Sequence, residues 1–287
     1  MKLLLSLCVK YLVILLNTIF NLFSKKSFFR GFVYVKLRET FKNININDKL
    51  IKFYIPSNLV EWRVDTIFEK EPETLQWIKD FKSQKNEILF WDIGANVGLY
   101  SIYAACLHEN IKIISFEPSV LNTNILARNI SENKLNEKII INQIPLTNKE
   151  NSFLEMKESF VEEGASLSTF GEKFNYEGKD FKSKINYKIF GTTINYFIEN
   201  KILSIPNYIK IDVDGIEHLI IEKADKVLES DDLKSVLVEV NENFKEQEHL
   251  VKQIMEKYNF KLEEKKQSEN VANIKSLANT FNYIYTK

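Results

Sequence analysis

The spacing of apolar residues predicts an α/β chain. From Ile88 on, short apolar runs alternate with segments of helical period: a strand over Ile88 to Asp92, a helix to about Leu107, a strand over Ile111 to Phe116, a helix from about Val120 to Glu132 and a strand over Ile139 to Gln143. Such alternation implies parallel strands joined by right-handed crossovers, with a ligand site outside their carboxyl ends. Residues 145–190 break the pattern. Thr147 to Asn151 reads as a turn, Ser152 to Met156 as a short strand, Glu162 to Ser168 as a loop, and Tyr187 to Phe190 as a strand returning antiparallel. Long irregular segments inside a regular domain often carry function, so this one is expected to cover an acceptor site. Regularity resumes with a strand over Tyr208 to Ile211, a helix starting near Gly215 and a strand over Ser235 to Val240. Apolar pieces at Phe260 to Glu263 and Tyr283 to Tyr285 follow.

Upstream, Leu50 to Ile55 reads as a strand closed by Pro56-Ser57-Asn58. Glu71-Pro72-Glu73-Thr74 then opens a helix carrying Leu75, Trp77, Ile78 and Phe81, with proline in the first turn and acids where the helix dipole favours them. The first 24 residues are different in kind. Lys10 interrupts the apolar run, no small-residue cleavage site follows, and the charge-free piece Tyr11 to Ser24 falls short of the ~20 apolar residues that span a bilayer. On a helix, Ser6, Lys10, Asn17, Asn21 and Ser24 share one narrow stripe and leave a wide apolar face. Two readings stay open. One is a helix lying on a membrane surface or against a second subunit, with Lys25, Lys26 and Arg30 toward anionic headgroups; the other is a helix docked on its own domain. The expected division is an amphipathic helix with a basic flank over 1–30, a lead-in segment over 31–85, and the main domain over 86–287 with 145–190 as its insertion.

Composition narrows the class. A chain of 287 residues with 45% hydrophobic content and 21 phenylalanines can fill a core, which excludes global disorder. Lysine plus arginine and aspartate plus glutamate both number 39, so overall charge gives no reason to expect a nucleic-acid partner. Cys8 and Cys106 have no partner spacing and suit a reducing compartment, and His108, His218 and His249 are too scattered for a metal cluster.

Candidate chemistry concentrates where Asp92 ends an apolar strand and Gly94, Asn96 and Gly98 follow in the turn to a helix, the opening of a nucleotide-type unit. An acid there would repel the pyrophosphate of a dinucleotide, which seeks the helix N-terminus. Asn96 also stands where Gly-x-Gly-x-x-Gly has its second glycine. A cofactor carrying a sulfonium and an ammonium gains from the same acid. Glu117 ends the next strand, about 20 residues beyond the turn, where a carboxylate accepts from both ribose hydroxyls. The two acids favour S-adenosylmethionine; a dinucleotide survives only if Asp92 points away from the ligand.

Phe90 to Gly98, then Phe116-Glu117-Pro118, then Ile209-Lys210-Ile211-Asp212-Val213-Asp214-Gly215-Ile216-Glu217, then Val238 to Glu242, in that order, resemble the signature of the FkbM family of S-adenosylmethionine-dependent methyltransferases. The likeness runs from about Lys52 to Lys287. It implies a class I (Rossmann-like) α/β fold with a seven-stranded, mostly parallel sheet closed by a C-terminal antiparallel hairpin. It further implies O-methylation of a sugar hydroxyl in surface polysaccharide or glycolipid biosynthesis, or of a natural product. Asp92, Gly94, Asn96, Gly98, Glu117 and Glu71 are the expected cofactor contacts, and Arg63, Ser166 and Glu239 the expected substrate contacts. One position departs from the pattern: many members carry aspartate where this chain has Asn195, the sole feature favouring a non-catalytic scaffold.

Methyl transfer to oxygen needs alignment, exclusion of water and a base for the acceptor's proton. Asp212, Asp214 and His218 are the candidate catalytic groups. Mg²⁺ held by Asp212, Asn241 and Glu242 ranks below a metal-free base, and helix capping is the plain reading of these groups. The expected setting is cytoplasmic, with peripheral contact at the inner face of the membrane or homo-oligomerisation through residues 1–24. The expected acceptor is a carbohydrate or small-molecule hydroxyl, not nucleic acid.

Overall fold

A computed structural model describes residues 2–23, 29–82, 87–267 and 279–287. The N-terminal run forms α1 (Lys2–Phe23), which packs on α2 (Phe29–Arg38) and leaves Leu12, Leu15, Ile19 and other large apolar side chains exposed. That exposure is not what a helix docked on its own domain shows. Among the described residues no helix is long and apolar enough to cross a membrane. Lys25 and Lys26 lie outside the described residues.

A hairpin of β1 (Phe41–Ile46) and β2 (Lys49–Tyr54) follows, turning on Asn47 and Asp48 at φ 50 and 59. Two left-handed residues in a two-residue loop match the twist of paired strands. Polar Lys42, Asn43 and Asn45 dilute the apolar pattern of β1, which the sequence reading did not resolve as a strand. Next come α3 (Asn58–Asp65), capped by the Ser57 hydroxyl, α4 (Ile67–Lys70), and α5 (Pro72–Lys79) with proline in its first turn as expected.

The predicted alternation is present in β3 (Ile88–Ile93), α6 (Leu99–Leu107), β4 (Ile111–Phe116), α7 (Val120–Glu132) and β5 (Ile139–Asn142). The insertion folds as its own antiparallel sheet of β6 (Ser152–Glu158), β7 (Ser168–Phe170) and β8 (Ile185–Gly191), ordered β7-β6-β8. Then follow α8 (Ile194–Glu199), β9 (Tyr208–Ile211), α9 (Glu217–Glu222), α10 (Asp225–Leu228), β10 (Ser235–Asn241), α11 (Lys245–Lys257), β11 (Lys261–Lys266) and β12 (Thr280–Thr286).

Seven strands make the central sheet, in the order β5-β4-β3-β9-β10-β12-β11. The reversed strand is β12, antiparallel to both β10 and β11. The order doubles back between β3 and β9, and Asp92 lies in register with Lys210 across that junction. Ligands of open parallel sheets bind at such a point. Its middle strands β3, β4, β9 and β10 are buried on both faces and apolar nearly throughout, while the edge strand β11 is charged and exposed. Phe90, Ile113 and Leu237 pack into a core with α5, α6, α7 and the hairpin, while Trp91, Ile114 and Val238 pack into a second core with α9 and α11.

Candidate active site

The carboxyl ends of β3, β4, β9 and β10 open onto one cavity of about 270 Å³. Gly94 leaves β3 at φ 87, and a Cβ there would run into the carbonyl oxygen of Asp212, so β3 and β9 close on each other only through glycine. Asn96 (φ 51) donates its backbone N–H to Glu117 Oε2 at 2.7 Å, and Ser119 N–H donates to Oε1 at 2.9 Å. Burial pushes the Glu117 carboxyl up to about 7, against the pull of those two N–H groups. Gly94, Asn96 and Glu117 all line the cavity. Gly98 does not; at φ 88 it starts α6 where a side chain would strike Leu126.

Arg63, Ser166, Asp212, Asp214 and Glu239 also line this cavity. The insertion supplies its lid. Gly164 N–H donates to Asn122 Oδ1 at 2.9 Å, Asn96 and Asn122 both donate to the Ala165 carbonyl at 3.0 Å, and Arg63 Nε donates to the Gly164 carbonyl at 2.6 Å. Asp214 fastens the other end by accepting from the N–H groups of Leu167 at 2.7 Å and Ser168 at 3.4 Å. Burial, then the Asp212 charge, raises the Asp214 carboxyl to about 6 despite those bonds. Burial likewise pushes Glu239 well above the usual carboxylate range, helped by Asp212, Glu71 and Asp214.

A smaller cavity of about 50 Å³ adjoins it on the other side of the glycine turn, between Arg63, Lys70, Tyr100, Lys210 and Asp212. Lys210 is buried in mid-strand. Burial alone would discharge it, but Asp212, Asp92 and Glu71 hold it protonated, with Asp212 Oδ2 at 2.7 Å. Glu71 pairs with Lys70 and accepts from Tyr100 Oη at 2.7 Å. Burial pushes its carboxyl up, yet the Lys70 and Lys210 ammoniums and these bonds outweigh it and leave it at about 2.

Several sequence expectations are placed elsewhere. Asp92 lies below the turn and lines neither cavity: Oδ2 accepts from Ser101 Oγ at 2.6 Å, Oδ1 has no partner, and Lys210 is the nearest compensating charge. Glu71 also stands behind the walls, acting on the site through Lys70 and Tyr100. His218 is buried among Phe174 and Phe244, at ring distances of 6.3 and 5.4 Å, and does not line the cavity. Burial drives its imidazole down to about 4. The Mg²⁺ set is not assembled: Asn241 Nδ2 donates to the Tyr176 carbonyl, its Oδ1 accepts from Asn243 N–H, and Glu242 is held by Lys265 and Tyr283. Among the described residues no group of three or more acids, histidines or cysteines is placed to hold a metal. Asn195 caps α10, donating to Asp225 and accepting from Lys226 N–H at 3.1 Å. A carboxylate could not make that donation, so this departure serves local structure and not the cavity.

The sequence reading missed Trp62, Lys70, Asn122, Thr169 and Thr280, all on the cavity wall. Trp62, at 42% exposed, stands at the rim. The hydroxyls of Thr169 and Thr280 are buried with no partner. Lys210 carried a signal, a cation inside an apolar parallel strand; Trp62 and the threonines carried none, because only the tertiary fold brings them together.

On the main wall four carboxylates, Glu117, Asp212, Asp214 and Glu239, face two cations, Arg63 and Lys70. That donor set suits a ligand bearing positive charge and hydroxyls, and it repels a pyrophosphate even though Asp92 points away. The model of the FkbM methyltransferase domain matches residues 92–262. No curated protein matches the chain. Among solved structures, Pyrococcus horikoshii TYW2 in complex with MeSAdo aligns at 14% identity and TM-score 0.45, over 86% of this chain and 70% of that one. Precorrin-6y C5,15-methyltransferase from Geobacter metallireducens aligns at 13% and 0.42, over 76% and 86%. M. capricolum TrmK in complex with S-adenosylhomocysteine aligns at 10% and 0.40, over 74% and 67%. With the domain match covering more than half of its length, the chain belongs to the FkbM methyltransferase family, and its cofactor is S-adenosylmethionine.

Proposed function

We propose that the protein is an O-methyltransferase whose acceptor is a sugar-type hydroxyl of a surface glycan or glycolipid, presented near a membrane on which α1 rests. The observation that carries this reading is the pair of buried, unpartnered hydroxyls at Thr169 and Thr280, which line the same cavity as Glu239 and the exposed Trp62 indole. A polyol satisfies such hydroxyls and carboxylates, and its C–H face covers an indole.

S-adenosylmethionine supplies an electrophilic methyl group on a sulfonium. Glu117 holds the ribose hydroxyls, and the backbone of Gly94 to Asn96 lies against the cofactor. Around the smaller cavity Asp212 receives the ammonium, while Lys70 and Arg63 receive the carboxylate. Glu239 takes the acceptor's proton. It accepts no hydrogen bond from a described residue, whereas Asp212 is held by Lys210 and Asp214 by the lid. Burial favours the protonated form of Glu239, so it acts as a base once the cofactor's sulfonium favours its ionised form, and it is then a stronger base than an exposed carboxylate. His218, outside the cavity, has a packing role in this reading.

The test has two stages. Calorimetry with S-adenosylhomocysteine should give binding that weakens sharply in Glu117→Ala. Transfer of tritiated methyl to methyl glycosides and glycolipids should then fall in Glu239→Gln and Thr280→Val with cofactor affinity retained. Label found on amines and never on hydroxyls would overturn O-methylation.

A further inference from the structure

A second cavity of about 370 Å³ lies apart from the cofactor cavity, between the end of α2, Tyr54 and one stripe of α7 that carries Leu121, Asn124 and Arg128. Two observations make it an anion site. The Arg128 guanidinium sits over the Tyr54 ring at 3.7 Å and forms no hydrogen bond or ion pair with a described residue, so its N–H edges are available to a ligand. The two acids on the wall have closer cations, Glu39 in Lys36 at 2.8 Å and Glu163 in Arg38, and the Glu39 charge reaches Arg128 only at longer range.

We propose that this cavity binds a phosphoryl group, with Arg128 as its anchor, and that the group is a lipid headgroup phosphate. The lipid source follows from what surrounds the site. The exposed apolar residues Val35 and Val120 line it, and α2 packs on α1, whose apolar side chains are exposed. An aliphatic rim around a guanidinium matches a phosphate carried on an apolar chain better than a free ion. The lipid source rests on the membrane reading of α1; the phosphoryl site itself does not.

The experiment uses the full chain with its cofactor cavity saturated by S-adenosylhomocysteine. Inorganic pyrophosphate is titrated calorimetrically without divalent cations into wild type, Arg128→Gln and Arg128→Lys. The expected result is binding that weakens about tenfold or more in Arg128→Gln, the loss of a charge-assisted bidentate contact, and less in Arg128→Lys. S-adenosylhomocysteine affinity, unchanged in the variants, reports that they fold. A second arm floats the protein with phosphatidylcholine vesicles with and without phosphatidic acid, where enrichment on the acidic vesicles should drop several-fold in Arg128→Gln. No pyrophosphate binding, or equal binding by wild type and Arg128→Gln, overturns the site. Equal flotation on both vesicle types overturns the lipid source and leaves a soluble phosphate as the ligand. No flotation of any protein overturns the membrane reading of α1.

Discussion

At the scale of single residues, Glu117 works under strain of charge. Its carboxyl titrates near 7 in the folded chain against 4.5 when exposed, because burial outweighs the two N–H groups that it accepts from. Between those values the folded state keeps a proton that the unfolded chain has lost, so its contribution to stability falls as pH rises from about 4.5 through about 7. Ionised at pH 8, it costs ~3 kcal/mol. Thermal melts of the cofactor-free protein should therefore drop from pH 6 to pH 8, with a shallower slope in Glu117→Gln. Affinity for S-adenosylhomocysteine should run the other way, present above about 7 and lost below it, since ribose hydroxyls donate to the carboxylate. Lys210 has the converse position. Lys210→Met leaves Asp92, Asp212 and Glu71 without their shared cation, and urea unfolding should show a loss of about 3–5 kcal/mol. Gly94 and Glu117 were legible in the sequence because a strand end fixes where they must lie. Asp92 and His218 were not, since a strand buried on both faces, or a short helix, hides which way a side chain points.

At the scale of elements, the regular half of the chain was readable, and so were β6 and the returning β8 of the insertion, but not β7. Strands from β3 to β10 are apolar runs at the separations that crossover helices demand. β1 and β7 are short or polar, and β7 exists only by pairing with Met156 to Glu158 of β6. The lid before β7 has no regular structure of its own; it is held by side chains from α3, α7 and the loop after β9. Asp214→Ala removes the fastening at its carboxyl end. Hydrogen exchange at the Leu167 and Ser168 amides should accelerate about tenfold or more, while amides of β6 and β8 stay unchanged. The Michaelis constant for the acceptor should rise with it.

The whole molecule divides its tasks between a sheet whose middle strands are buried on both faces and an α1 that buries little. Replacing Leu12, Leu15 and Ile19 by glutamine should abolish flotation with vesicles or self-association in the ultracentrifuge, without lowering the melting temperature of the domain. Formal net charge is zero over 287 residues, yet the cofactor cavity gathers more acid than base. That imbalance distinguishes fresh cofactor from spent. Once the methyl group has left, the sulfur is neutral, and in the proposed site the cavity carboxylates would lose the cation that favoured their ionisation. In the proposed site this would favour release of the product and guard against inhibition by it. Affinity for S-adenosylmethionine should exceed that for S-adenosylhomocysteine, and Glu239→Gln should narrow the ratio.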